Sequence, residues 1–425
     1  MKKRIISTII ALAMMLSMLP QLALAATIPM TESEILRYFG QVENDIFTKT
    51  GSNAGYAKDP NSSTLAWAAS YMMESYIMMY RLTGNEEYLK KLGFQIETAF
   101  NNLRDDLGNG SYGWDCVNYS KEKVSNVEFN TTAAWTRLSG TSTTQAMIDA
   151  TGYSGNGLHI KTDGNGYYGM QTEITGYSVG KVYSLRLYGK VDGNATGRYY
   201  LKNLTTGEVI PTIEGNTYTT FEDIRWRNQE TRYIIPESAN QLAICLEGGD
   251  LSGNVYYDTV KFARANQYLV HESLIMAPAM KLIQMVTEDP ALAAVKFDSS
   301  RTMKQLADKF LPIVCDNVAK WESCWRDVGS DMGVYTWPLN DEGSEFAGNA
   351  LPHNQYSKMI SVLLPLYDLT GNDEYLDHAK RMLTFLKSKM RLVSQNGQEL
   401  YYWTYYSSTG SDPIKQSENT EDISH

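Results

Sequence analysis

Apolar residues recur every three to four positions through Leu65, Ala68, Ala69, Met72, Met73, Tyr76, Met79 and Tyr80, the period of one buried helix face. The same period runs through Leu89, Leu92, Phe94, Ile96 and Phe100 and resumes at Tyr268. It predicts helices from Thr31 to about Phe47, from Ser63 or Thr64, and over about 86–107, 268–286, 300–321, 353–369 and 373–392. Thr31-Glu-Ser-Glu34 has the form of a capping box at the first of these. Between about Lys121 and Ala265 the texture changes. Gly, Thr, Tyr and Asn become frequent, and short alternating runs such as Tyr183-Ser-Leu-Arg-Leu-Tyr188 are split by turn dipeptides. Strands at intervals of about ten residues predict a β-sandwich. The pattern therefore predicts a β domain over 121–265 that interrupts a helical domain made of 26–120 and 266–425.

A repeat sharpens the helical part. Tyr80-Arg-Leu-Thr-Gly-Asn-Glu-Glu-Tyr-Leu89 is nearly copied at Tyr367-Asp-Leu-Thr-Gly-Asn-Asp-Glu-Tyr-Leu376. Gly84 and Gly371 suit the left-handed position that ends a helix, and Asn85 and Asn372 suit the cap of the next. The unit is an antiparallel helical hairpin used at least twice, which points to a stack or ring of hairpins.

With 425 residues, 43% of them apolar, the chain can bury a large core. Lys2, Lys3 and Arg4 precede an apolar stretch and Ala23-Leu24-Ala25, so residues 1–25 are expected to be a secretory signal, and the mature protein secreted and free of the membrane. No later stretch is expected to cross a bilayer. Removing the signal's three cations takes the formal charge from −10 to −13, which argues against nucleic acid as a partner. Cys116, Cys245, Cys315 and Cys324 are too few for a disulfide framework and lack metal spacing. No phosphate-binding loop, serine elbow or zinc motif appears.

The β region resembles the jelly-roll carbohydrate-binding modules of secreted cellulases and xylanases. The resemblance rests on Trp135, Gly152-Tyr-Ser-Gly-Asn-Gly-Leu158, the Tyr183 run, Trp226 and Gly253-Asn-Val-Tyr-Tyr-Asp-Thr-Val260. It implies a polysaccharide partner and a structural calcium, for which Asp258 matches one acid, Thr259 replaces the second, and Glu128 and Asn126 are the other candidate oxygens. Aromatic faces for sugar stacking are expected from Trp226, Tyr167, Tyr168, Tyr199 and Tyr200.

The helical part resembles the α/α-toroid carbohydrate enzymes, through the Leu-Thr-Gly-Asn turns, Tyr268-Leu-Val-His-Glu272, Leu351-Pro-His-Asn-Gln-Tyr356 and Glu421-Asp-Ile-Ser-His425. About seven helices are fewer than a closed ring of hairpins needs, so the toroid is expected to be incomplete. The resemblance implies polysaccharide degradation, with β-elimination of a uronic-acid polymer favoured and no cofactor required for catalysis. Such chemistry masks a carboxylate and then abstracts the neighbouring proton. Asn354 with His353 and Tyr356 or Tyr405 would meet that requirement, and His271 beside Glu272 is a second candidate pair. Trp403, Tyr401 and Trp114 are expected to stack on sugar rings. The alternatives are a hydrolase with paired carboxylates drawn from Asp115, Glu272, Asp331, Asp341, Glu345, Glu421 and Asp422, or a binding protein without catalysis. His159 in a strand and His378 on a helix's polar side are expected to be structural.

Overall fold

The computed structural model describes residues 30–105, 112–117, 120–131, 133–338, 346–395 and 398–413. Asp341, Glu345, Glu421, Asp422, His425 and the expected signal at 1–25 lie outside the described residues. The chain divides into two compact units, one holding the residues up to Cys116 and from Gln267, the other Val117–Asn266.

In the helical unit, Thr31 and Glu34 close the capping box that opens α1 (Glu32–Thr50). The next helix starts at Ser62–Thr64, passes through a π turn at Leu65–Ala69 and continues as α2 (Ser70–Thr83). Gly84, at φ 70°, ends it by donating its N–H to Tyr80. Asn85 then accepts from the Glu87 N–H at 3.0 Å to start α3 (Glu87–Phe100). The copy behaves identically: Gly371, at φ 69°, ends α6 (His353–Thr370), and Asn372 accepts from Glu374 N–H at 3.1 Å to start α7 (Asp373–Lys389). Between them lie α4 (Leu269–Glu288) and α5 (Met303–Lys320).

Helix α4 packs against α2, α3, α5 and α6, and α2, α4 and α6 each keep the next helix in sequence as a neighbour. This surrounded position corrects one expectation. By length and composition α4 is apolar enough to cross a membrane, yet 83% of its most apolar window is buried inside the unit. Its even apolarity is that of a core helix without a solvent face. Met276, Met280, Ile283, Phe310, Tyr356 and Leu363 join one continuous core. Helix α3 stops at Phe100, earlier than its pattern suggests, because Asn102 leaves the helix to donate to the carbonyls of Ala57 (3.0 Å) and Asp59 (3.3 Å).

The second unit is a β-sandwich of two antiparallel sheets. Its strands are β1 (Thr136–Arg137), β2 (Ala146–Asp149), β3 (Gly157–Asp163), β4 (Tyr168–Ile174), β5 (Val182–Gly193), β6 (Thr196–Asn203), β7 (Val209–Ile210), β8 (Thr219–Phe221), β9 (Arg227–Ile234), β10 (Leu242–Gly249) and β11 (Ser252–Arg264). The first sheet runs β9-β5-β11-β3-β2; the second runs β1-β4-β10-β6-β7, with β8 also on β6. Leu185, Leu187, Val191, Leu158, Ile160, Val255 and Tyr257 from the first sheet meet Met170, Tyr199, Leu201, Ile244 and Leu246 from the second in one core. Phe221 fills the gap left by two glycines, since a Cβ at Gly189 or Gly197 would come within 2.6 or 2.3 Å of its ring.

Candidate functional site

Strand β5 alternates strictly: Leu185, Leu187 and Val191 are buried, while Arg186, Tyr188 and Lys190 are half-exposed. The period of two leaves those three side chains on the outer face. Registry then carries a row across the sheet, Lys190 beside Tyr256 on β11, Tyr256 beside His159 on β3, and His159 beside Met147 on β2. Tyr256 and His159 stack, with ring centroids 4.6 Å apart and planes 24° apart. The loop before β9 brings Trp226 to 6.4 Å from the Tyr256 centroid. Lys190 Nζ lies 4.7 Å from the Tyr256 ring centre and 5.4 Å from that of Trp226.

One further aromatic comes from the β2–β3 loop. Tyr153, 55% exposed, lies flat on Tyr188 (4.3 Å, 3°) and edge-on to Trp226 (6.0 Å, 69°). This loop is held from beneath by Asp258, which is fully buried and accepts the N–H of Ser154 at 2.9 Å and of Thr259 at 2.6 Å. Only glycine fits at 152, where a Cβ would lie 2.3 Å from the Asn156 carbonyl oxygen and 2.9 Å from Asp258 Oδ2.

Polar groups edge the strip. His159 Nδ1 is 3.0 Å from Asp149 Oδ2, and Nε2 is 2.9 Å from Asn254 Oδ1. Burial opposes charge on Asp149, but hydrogen bonds from Thr151 and His159 outweigh it and hold the carboxyl below its usual range. Burial, with Asp192 and Asp149 adding to it, pushes the Tyr256 phenol up. Arg186 Nε donates to Asn228 Oδ1 at 2.9 Å. The face thus offers four aromatic side chains flanked by cations, a carboxylate and amides. A pyranose ring needs such a surface: its C–H face stacks on an aromatic plane while its hydroxyls reach polar groups at the rim.

Of the expected sandwich aromatics, Trp226 alone stands in this strip. Tyr199 is core, its hydroxyl paired with Thr231 at 2.7 Å, and Tyr200 is buried with its hydroxyl on Glu247 at 3.1 Å. Tyr168 donates to Asp163 at 2.9 Å. Tyr167 lies on the other sheet's side, against the Arg198 guanidinium at 3.4 Å, with the Tyr218 ring 4.5 Å from the same group. Tyr188, Tyr256, Lys190 and His159 were missed as a site, although their outward positions are legible in the alternation of Tyr183–Lys190 and Val255–Tyr257. What the pattern lacks is which strands become neighbours.

The residues expected to hold calcium each make hydrogen bonds here. Both Asp258 oxygens serve backbone N–H groups, and Glu128 meets only the Thr259 hydroxyl, at 3.4 Å, among the described contacts. Asn126 uses its side chain within its own loop, accepting from the Asn130 N–H at 3.0 Å. A hard cation wants six or more oxygens. Asp258 clamps the Tyr153 loop.

In the helical unit, the structure brings His271, Glu272 and Trp114 together, all fully buried. Trp67, carried on the π turn, donates its indole N–H to His271 Nε2 (3.1 Å), so the ring proton is on Nδ1, 2.9 Å from Ser62 Oγ. Burial lowers the His271 pKa to about 3. Glu272 Oε1 accepts from Lys320 Nζ at 2.5 Å and the Trp114 N–H at 3.2 Å, while Oε2 accepts from the Trp321 indole. Trp114 gives its own indole N–H to the Ala99 carbonyl, 2.7 Å away. These are satisfied core contacts, and Trp114 has no face left for a sugar.

His353, 8% exposed, packs near Tyr356 (6.3 Å) and Phe385 (6.0 Å). Tyr356 is a correction: it was expected to act on substrate, but it is fully buried and donates to the Tyr335 carbonyl at 3.1 Å. It shares with Ile360 and Leu363 the stripe of α6 that faces the core. Asn354 is half-buried at the start of α6. Tyr405, 39% exposed, is near His353 through its backbone carbonyl (3.0 Å). Trp403 donates to the Leu386 carbonyl at 2.8 Å, and Tyr401, 63% exposed, stands on β15 (Gln398–Tyr402) of a hairpin with β14 (Arg391–Gln395). Here β12 (Trp325–Asp327) and β13 (Gly333–Tyr335) form a second small hairpin. Among the described residues, His271 and Glu272 thus lie in one core cluster and His353 and Tyr356 in another, while Asn354 is half-buried and Tyr405 exposed. His378, on the side of α7 expected to be polar, is 6% exposed and stacked on Trp325.

The neutral His271 gives a pH dependence with a definite sign. The unfolded chain takes up a proton as pH falls through about 6.5, whereas the folded imidazole does so only near 3. Between those values the folded state binds fewer protons, so this group removes about 1.4 kcal/mol of stability per pH unit on acidification. Acid unfolding followed by circular dichroism is expected to be correspondingly shallower in His271→Asn between pH 6 and 4, at about 25 °C.

No family model matches the chain, and no curated protein matches it. Among solved structures, a family 61 carbohydrate-binding module in complex with β-1,4-galactotriose is similar at 13% identity and TM-score 0.28, covering 34% of this chain and 99% of that one. The C-terminal family 22 carbohydrate-binding module of a Clostridium thermocellum xylanase is similar at 17% identity and TM-score 0.27, with 36% and 98% covered. A xylan-binding domain from Paenibacillus barcinonensis is similar at 17% identity and TM-score 0.26, with 35% and 94% covered. Scores of this size carry no functional argument, which rests on the aromatic strip.

Proposed function

We propose that this is a secreted polysaccharide-binding protein whose glycan lies along the outer face of the five-stranded sheet. The observation that carries the reading is the strip of Tyr153, Tyr188, Trp226 and Tyr256, rimmed by Lys190, Arg186, His159, Asp149 and Asn254. Rings already stacked on one another over the sheet lose little side-chain freedom when a sugar binds, which favours affinity. The helical unit is read as scaffold. Three of its catalytic candidates, His271, Glu272 and Tyr356, have their hydrogen-bonding groups engaged in the core, so elimination and hydrolysis are not assigned to it.

Affinity electrophoresis on neutral and uronic-acid polysaccharides tests this. Retardation by at least one polymer is expected, weakened in Trp226→Ala by about 1–2 kcal/mol, or roughly 5- to 30-fold in Kd. Equal retardation of the variant and the parent would remove Trp226 from the site.

A further inference from the structure

We propose that Glu322, Glu374 and His378 of the helical unit form a binding site for a divalent transition-metal ion of the zinc type. Glu374 and His378 are four residues apart on α7, so they share one helix face. Glu322 comes to them from the single turn Trp321–Cys324. One donor atom from each lies within 4.8 Å of the others, and among the described residues this is the one place where three such side chains converge.

The geometry suits an ion better than it suits hydrogen bonding. His378 Nδ1 is 3.5 Å from Glu322 Oε2 and 3.5 Å from the Tyr335 hydroxyl, long for either bond. Two donors each about 2.1 Å from a tetrahedral ion are about 3.4 Å apart. The His378–Glu322 edge already has that length, and a Glu374 carboxylate oxygen, exposed in the first turn of α7, lies within 4.8 Å of both.

The surroundings fix the ligands. The His378 ring is stacked on Trp325 at 3.7 Å and 11°, which sets its plane. Trp325 can lie there because residue 333 is glycine, whose Cβ would otherwise be 2.1 Å from the indole. Tyr335, fully buried, donates to Glu322 Oε1 at 3.2 Å and leaves Oε2 for the ion. Such outer partners orient metal ligands. Arg381, one turn beyond His378, is engaged by Asp327 at 2.9 Å and Asp377 at 3.6 Å. One imidazole and two carboxylates are the donor set of zinc rather than of a soft thiophilic ion, and the exposed side leaves room for water as a further ligand. Bound there, the ion would tie α7 to the Trp321–Asp327 segment.

The test uses the full mature chain freed of any affinity tag, treated with a chelator and then titrated with zinc chloride by calorimetry. One equivalent is expected, with a rise in melting temperature. Titration with cobalt(II) is expected to quench tryptophan fluorescence, and Trp325→Phe to remove that quenching while keeping the binding. His378→Ala and Glu374→Gln are each expected to lose at least about 100-fold in affinity, as removal of a direct ligand should exceed the effect of an outer partner. Glu374 is exposed, so its variant keeps the fold if His378→Ala does not. Absence of saturable binding near one equivalent, or equal binding by folded Glu374→Gln, would overturn the proposal.

Discussion

Lys320→Ala is expected to destabilise the helical unit by about 3–5 kcal/mol, because it strands a buried carboxylate. Glu272 is fully buried, and Lys320 is its cationic partner at 2.5 Å, with side-chain exposures of 0% and 12%. The Trp114 N–H and the Trp321 indole also donate to that carboxylate, but neither carries charge. Removing the ammonium leaves an anion in the core with neutral donors only. For a unit of this size the melting temperature is expected to fall by roughly 10 °C or more. Glu272→Gln in the same background should recover much of the loss, since an amide needs no counter-charge. Differential scanning calorimetry of the two variants and their combination measures this. A loss below about 1 kcal/mol for Lys320→Ala would show that Glu272 is solvated after all.

Asp258→Ala is the second large effect, expected to cost about 3 kcal/mol in the sandwich unit and to weaken glycan binding without touching a sugar. Each of its carboxylate oxygens accepts a backbone N–H, and a hydrogen bond to a charged group contributes about 1.5–3 kcal/mol. One of those bonds holds the loop that presents Tyr153 against Tyr188. Urea denaturation reports the stability. Titration of the folded variant with an oligosaccharide reports the loop. Stability lost with affinity intact would separate Asp258 from the site.

Much of the architecture was legible in the sequence. The hairpin turns follow from glycine at the left-handed position and asparagine as cap, which are local facts, and Gly84 and Gly371 take φ values within a degree of each other. The sandwich followed from period-two alternation. The site was harder. Tyr188 and Tyr256 are 68 residues apart in sequence and lie on adjacent strands only through the pairing of β5 with β11. Alternation shows that each points outward but not that they share a face. Tyr199 and Tyr200 show the converse, since a tyrosine-rich stretch looks ligand-facing until the sheet buries it. The buried helical candidates show a related limit of local sequence. A histidine at a helix start has the same local sequence whether it meets solvent or a core, and for His271 the surroundings supplied by Trp67 and Ser62 decide that it is core.

The most direct measurement is titration of the mature protein with a soluble oligosaccharide of whichever polymer retards it, comparing variants on the two faces of the sandwich. The account predicts that Tyr188→Ala combined with Trp226→Ala abolishes binding, while Tyr218→Ala beside the opposite sheet leaves it unchanged and both variants remain folded by circular dichroism. Binding that survives the double variant, or that is lost with Tyr218, would contradict it.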